Sequence, residues 1–490
     1  MATKLILGPI VGGLSENSAN LWGRASARAV LHGWLGKKPD LSDARLAGQS
    51  LPLVAKDGFA GVVPLQGLKP ATTYYYDLRL DKSRPPVQKG YASFTTFPVP
   101  GKVQDFSFAF GSCFRPALEN GGVIFRSLEA QRQNLEASPA EKLRFMLWIG
   151  DQIYPDDWNF NGLWKYHQGR KVGAQTLDDY RHVYEYTWSN EHHRALLRNL
   201  PAFMTLDDHE VDDDWHWTDA KRLTANFSIW AKLMRLIHFR PAGERRLTAQ
   251  RVRDALKAYW EHQGMHAPFI TLPLKLDDDG RYVLDRHEPG SLAYTFTFGG
   301  AAFFVLDTRT MRVRNSREIR MLGDGQWHAL KEWLLRVKDE YPVKFIVTSC
   351  SVLYSMFGDF LGDRWSGFRP ERDTLLRFIG DQRISNVYLI AGDLHSSHSM
   401  TAECGSEADP ILLHEFCSTP FEQVCNTFAR ILYTSIKTGA VRHPKRHFVV
   451  TVPNYGIVQV HFGKDGRPNV DFKLYGTQGQ LLAPKPAKPG

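Results

Sequence analysis

The chain has 490 residues with 61 Lys+Arg, 52 Asp+Glu, a formal net charge of +9, 43% apolar residues and 12% aromatics. These ordinary fractions exclude a disordered or collagen-like polymer, and so long a chain buries a large core and divides into about two or three domains. The cationic excess is mild and contains no basic tract, which allows attraction to anions but excludes a histone-like nucleic-acid binder.

Residues 1–99 read as all-β. Short alternating stretches such as Ala19-Asn20-Leu21-Trp22-Gly23-Arg24 and Tyr74-Tyr75-Tyr76-Asp77-Leu78-Arg79-Leu80 are separated by Gly, Pro and Asp. The spacing of Pro70 and Tyr74 in Leu65–Tyr74 predicts the tyrosine corner of a fibronectin-like β-sandwich. The opening Met1–Pro9 has one Lys, too short an apolar core for a signal peptide and no twin-arginine motif. No run of about 18 uncharged apolar residues follows anywhere. A cytoplasmic location is expected for the chain as written, or a periplasmic or secreted one if a leader has been removed. The five cysteines, Cys113, Cys350, Cys404, Cys417 and Cys425, are too few and too odd in number for a disulfide framework, and read as reduced thiols.

From residue 100 apolar strands alternate with helical patterns, which predicts an α/β domain over 100–482. Helices are expected over 176–200, 220–238, 248–262, 325–338, 370–383 and 420–436, with 220–262 a helical insertion over the sheet edge. Residues 449–482 return to strands, and 483–490 form a Pro/Lys tail expected to be disordered.

Six apolar runs in this region stop at polar clusters. They lead into Gly111-Ser112-Cys113, Gly150-Asp151-Gln152-Ile153-Tyr154, Asp207-Asp208-His209-Glu210, Asp307-Thr308-Arg309, Ser349-Cys350 and Gly392-Asp393-Leu394-His395. In open α/β sheets ligands bind outside the carboxyl ends of strands, so if the runs share one sheet these clusters converge. Carboxylates and imidazoles at several strand ends can hold two adjacent cations with one carboxylate between them. Thiolate and phenolate favour a trivalent iron beside Cys113 and Tyr154, whereas oxygen-rich positions suit Ca²⁺, Mg²⁺ or Mn²⁺.

The four clusters around Cys113, Asp151, Asp208 and Asp393, in this order, resemble those of the alkaline phosphatase D (PhoD-like) metallophosphoesterases. Asp307-Thr308-Arg309 and Leu322-Gly323-Asp324-Gly325-Gln326-Trp327 also look like that family. The resemblance implies a fibronectin-like leader domain followed by a metallophosphoesterase-type α/β/β/α sandwich. It implies hydrolysis of phosphate mono- or diesters by attack of a metal-bridging hydroxide, with iron(III) and calcium as cofactors and Mn, Mg or Zn as alternatives at the second position. By that resemblance Asp151 bridges the metals, Cys113 and Tyr154 bind iron, Asp208 sits on the second metal, and Asp393 and His395 complete the shells. His209 protonates the leaving group or orients phosphate. Ser349-Cys350-Ser351 stands where related binuclear enzymes place another His.

Other residues have plainer readings. Arg309 and Arg364 are candidate phosphate clamps or structural ion-pair partners. Asp207 and Asp212 are candidates for support of the metal ligands; His192 and His193, on a helical pattern, read as surface or packing residues, and His398, near the site in sequence, has no motif role. Three functions compete with hydrolysis at metals. A metal-binding adhesion or scaffold protein would lack several ligands, and a nuclease would carry a stripe of interleaved basic and aromatic residues. A serine hydrolase would need a Gly-x-Ser-x-Gly elbow.

Overall fold

The computed structural model describes residues 2–115, 121–170, 172–213, 215, 247–268, 275–276, 282–283, 291–314, 318–356, 364–429, 433–436 and 438–484. The helix expected over 220–238 and residues 485–490 of the expected tail lie outside these residues; Ala483, at the start of that tail, instead closes the strand Leu481–Ala483.

The first region is all-β. Leu5–Gly12, Ala19–Ala25 and Ala60–Leu65 form one antiparallel sheet; Arg45–Gln49, His32–Gly36, Thr73–Arg79 and Ala92–Thr95 form a second, in that order. The Tyr74 hydroxyl accepts a hydrogen bond from the Lys69 backbone N–H at 3.0 Å, the tie expected of the tyrosine corner. The core of this region continues into the rest of the molecule: the Phe97 ring packs edge-on to Phe298 at 4.9 Å.

The six polar-ended runs do not share one sheet. Phe106–Gly111, Leu143–Ile149 and Ala202–Thr205 are parallel neighbours in a six-stranded sheet; Ala301–Val305, Val343–Cys350 and Val387–Gly392 are parallel neighbours in a seven-stranded one. The two sheets face each other. Side chains alternate along a strand, so Phe106, Phe108 and Phe110 point between the sheets together with Phe145, Phe303 and Phe345. Phe108 lies edge-on to Phe345 at 5.2 Å, and each such buried Phe contributes roughly 1.5–3 kcal/mol. The opposite faces are also covered. Trp148 and Met146 pack among Phe125 and Leu128 of the helix Val123–Leu135, while Phe304 packs on Trp333 of the helix Gly323–Glu340. Burial on both faces is why these strands read as unbroken apolar runs. Parallel strands within each sheet deliver their carboxyl ends to one edge, so convergence survives the division into two sheets.

The helices depart from expectation in three places. The run 176–200 is two helices, Leu177–Trp188 and Glu191–Asn199, because the Asn190 side chain accepts from the N–H groups of His192 and His193, both at 3.1 Å, and starts a new helix. The run 420–436 contains no such helix among its described residues. Glu422 instead caps the helix Val123–Leu135, accepting from Gly122 N–H at 2.7 Å and Ile124 N–H at 2.9 Å, and Tyr433–Ser435 pairs with Tyr354–Met356 as a strand. Finally, the helix Ala249–His262 does not ride over a sheet edge. It is wedged against the first region, where Lys257 meets Asp57 at 2.6 Å and the Trp22 indole donates to the Glu261 carbonyl at 2.9 Å. No helix is long and apolar enough to cross a membrane among the described residues.

Candidate metal centre

Four of the candidate ligands sit at sharp strand-to-loop reversals. Cys113, Asp151, Asp393 and His395 have left-handed backbones, with φ of 63°, 54°, 67° and 52°. This conformation costs a non-glycine residue about 1–2 kcal/mol, and its clustering at one strand edge marks a place where geometry is imposed for a purpose. The loops are tightly nested: a Cβ on Gly392 would lie 2.5 Å from the Ser112 hydroxyl, and one on Gly150 would lie 2.4 Å from the Asp207 Cβ.

Asp151 is at the centre. Its Oδ2 accepts from the Cys113 thiol at 3.2 Å and from the Tyr154 hydroxyl at 3.1 Å, while its buried Oδ1 has no hydrogen-bond partner. Ligand-capable atoms of Cys113, Asp151 and His395 all lie within 4.8 Å of one another, and so do those of Asp151, Asp208 and His209. Asp151 therefore belongs to both groups. A buried carboxylate oxygen without a donor is costly, and a cation is the natural partner for one shared between two such groups.

Electrostatics point the same way. Burial, and then the charge of Asp151, push the Cys113 thiol and the Tyr154 phenol well above their ordinary ranges. Each stays protonated unless a cation displaces its proton, as metals do. Burial and the nearby Asp208, Asp207 and Glu210 carboxylates push Asp151 well above the carboxylate range, against the charge of His209. Burial, with His209 and Arg364 beside it, lowers His395 to about 3, so its imidazole is neutral and its lone pair available. His209 behaves oppositely. Burial disfavours its charge, but Asp156, Asp208 and Asp151 outweigh burial and hold its pKa well above the ordinary value. Its Nδ1 lies 2.9 Å from Asp156, which fixes the ring as a proton donor.

A cavity of about 180 Å³ opens over this centre, lined by Asp151, Asp208, His209, Arg364, Asp393 and His395 among others. Asp393 reaches the cavity wall but stands in neither close group, and its Oδ2 takes the Arg364 Nε–H at 2.6 Å. The two arginines have different jobs. Arg364 lines the cavity, whereas Arg309 is fully buried, pairs with Asp207 and lies 3.5 Å from Asp208, so it is a structural ion-pair partner and no phosphate clamp. Asp212 pairs with Arg251 at 3.3 Å.

Other contributors had no role in the sequence reading. Thr419, after the strand Pro410–Cys417, donates to the Cys113 sulfur at 3.1 Å. Asp156 fixes His209. Glu210, read only as the last letter of a motif, is fully buried beneath the ligand loops. His398 is buried and bonded to Glu415 at 2.7 Å, and His193, of the two readings offered for it, takes the packed one, among Phe114, Phe125 and Trp148.

A family model described as PhoD-like phosphatase matches residues 108–469, a span that contains every candidate ligand. The chain belongs to the PhoD-like phosphatase family. This PhoD-like chain is 27% identical over 365 residues to alkaline phosphatase D of Bacillus subtilis (strain 168), an alignment covering 68% of this chain and 53% of that protein. It thus spans about half the length of that curated relative. A solved structure of PhoD superposes with a TM-score of 0.67 at 18% identity, covering 98% of this chain and 92% of that one. Purple acid phosphatase PPD1 from yellow lupin (Lupinus luteus) seeds superposes with a TM-score of 0.56 at 13% identity, covering 97% and 72%. Likeness at such identities shows a shared mixed α/β fold.

Proposed function

We propose that the chain hydrolyses phosphate esters at two adjacent cations held between the sheet edges, with Asp151 common to both. The observation that carries this reading is the membership of Asp151 in two ligand groups while its Oδ1 has no hydrogen-bond donor. Family membership, with alkaline phosphatase D as a relative, supports phosphate esters as the substrate class.

In this reading Cys113, Tyr154, Asp151 and His395 hold the first cation. Thiolate, phenolate, carboxylate and imidazole together suit iron(III). Asp151 and Asp208, with Asp393 alongside, offer oxygens to the second, which suits calcium ahead of Mn, Mg or Zn. When bound, such a pair supplies an activated water and neutralises charge on the phosphoryl oxygens. The residues of the chain do the rest. Arg364, facing the cavity, orients the phosphate through its guanidinium. His209, kept protonated by Asp156, donates its proton to the departing oxygen. Burial of the ligand acids excludes bulk water and strengthens each of these interactions.

Residues 1–99 are read as a fibronectin-like sandwich module and 100–482 as the catalytic domain. The two antiparallel sheets and the Tyr74 tie support the first assignment.

The test is turnover of an aryl phosphate ester by Asp151→Asn with metals supplied. A loss of at least about 10³-fold in kcat, some 4 kcal/mol, is expected. Turnover near that of the unsubstituted protein would sink the proposal.

A further inference from the structure

Glu210 is buried beneath the metal centre, and both of its oxygens are saturated by N–H donors. Oε2 accepts from the backbone of Asp151 at 3.1 Å and of Asp207 at 2.8 Å; Oε1 accepts from the backbone of Gln152 at 2.8 Å and from the Gln263 side chain at 3.1 Å. With two donors on each oxygen, both ends of the carboxyl group are held in place. Backbone groups clamped this way belong to two different strand ends, those of Leu143–Ile149 and Ala202–Thr205. One carboxylate therefore fixes the distance between the loop carrying Asp151 and the loop carrying Asp208. It also holds the Asp151 N–H in the left-handed backbone that turns this side chain toward the centre.

We infer that Glu210 is a positioning residue for the metal centre: it touches no substrate, and sets the spacing of Asp151 and Asp208 on which capture of the second cation depends. The inference rests on the proposed metal-dependent function. Gln263 is its anchor. This residue closes the helix Ala249–His262 and also donates to the Tyr184 hydroxyl at 3.0 Å, so the clamp is tied to the helix wedged against the first region. The plain alternative, a buried acid that merely closes a loop, has an example in the same molecule. Glu415 accepts from the Ser351 hydroxyl at 2.6 Å and from Val352 and Leu353 N–H at 2.6 and 2.9 Å, yet its partners carry none of the ligands. A loop-closing acid supports stability; a positioning acid also supports metal affinity.

The experiment compares Glu210→Gln, Glu210→Asp, Gln263→Leu and Glu415→Gln. The readouts are metal retained per chain after dialysis against graded EDTA, and kcat and KM on an aryl phosphate ester. In Glu210→Gln an amide N–H₂ meets two N–H donors. This variant is expected to lose metal at chelator concentrations at least tenfold lower than the unsubstituted protein, with kcat down at least tenfold and KM changed less than threefold. Gln263→Leu, which keeps the three backbone donors, moves the same readouts in the same direction by about threefold. Glu210→Asp recovers part of the loss. Glu415→Gln lowers the unfolding midpoint and leaves metal retention unchanged. Folded Glu210→Gln with unaltered retention and kcat overturns the inference. If Glu210→Gln does not fold, unaltered retention in Gln263→Leu overturns it. The underlying function fails separately, through Asp151→Asn retaining its turnover.

Discussion

At the end of Leu143–Ile149, one oxygen of Asp151 takes two side-chain donors and the other takes none, whereas the carboxylate of Asp307, at the end of Ala301–Val305, is wrapped. Asp307 accepts from the N–H groups of Leu292 at 2.8 Å, Arg309 at 2.9 Å and Thr310 at 3.0 Å. The two aspartates stand in corresponding places on the facing sheets. One is left with capacity for a cation, and the other spends its capacity on its own loop. The contrast extends along both edges. The first sheet brings Cys113, Asp151, Tyr154, Asp208 and His209 to the centre. The second brings Asp393 and His395 there, and otherwise gives support: Arg309 pairs with Asp207, Ser349 donates to Asp207 at 2.8 Å, and Gln326 bonds both backbone groups of Asp307 at 2.8 Å. A polar strand end thus announces a loop over the crevice; the fate of its lone pairs decides whether it is a ligand.

The largest expected effect on this contrast comes from Arg309→Met. Removing a buried cation leaves the buried Asp207 carboxyl group without its ion-pair partner, a loss of about 3–5 kcal/mol. Urea unfolding should show this as a lowered midpoint, and adding Asp207→Asn should restore most of it. Asp151→Asn, in contrast, should leave the midpoint of metal-free protein unchanged or raised, because it replaces a buried carboxyl group whose charge burial already disfavours. If both substitutions lower the midpoint alike, the division of labour between the sheets is wrong.

A smaller effect is expected from Arg364→Gln. This side chain is 18% exposed at the cavity wall, so its loss should raise KM for a phosphate ester roughly tenfold, about 1.4 kcal/mol, with kcat within threefold. An unchanged KM would make Arg364 a second scaffold arginine, which neutralises Asp393 and nothing more.

Much of this was legible in the chain. The apolar runs located the strands to within a few residues, because burial on both faces leaves no polar interruption, and their polar ends located the centre. The sequence could not divide those runs between two sheets, since a buried parallel strand looks the same in either. Nor could it separate Arg309 from Arg364, which differ only in what surrounds them. The run 420–436 looked helical, but Glu422 and Asn426 are spent on distant partners, with Asn426 N–H donating to the His395 carbonyl at 2.8 Å. Glu210 was visible in its motif, yet local spacing carries no sign that a carboxylate turns inward to gather four N–H groups, one from its own loop and three from two other stretches of chain.

The most direct test of a shared Asp151 is elemental analysis of purified protein together with its visible spectrum. Iron and a second cation are expected at about one each per chain, with a colour from phenolate–iron(III) charge transfer and bleaching of that colour in Tyr154→Phe. Colourless protein that turns over phosphate esters with a single cation, or with none, would contradict a shared Asp151.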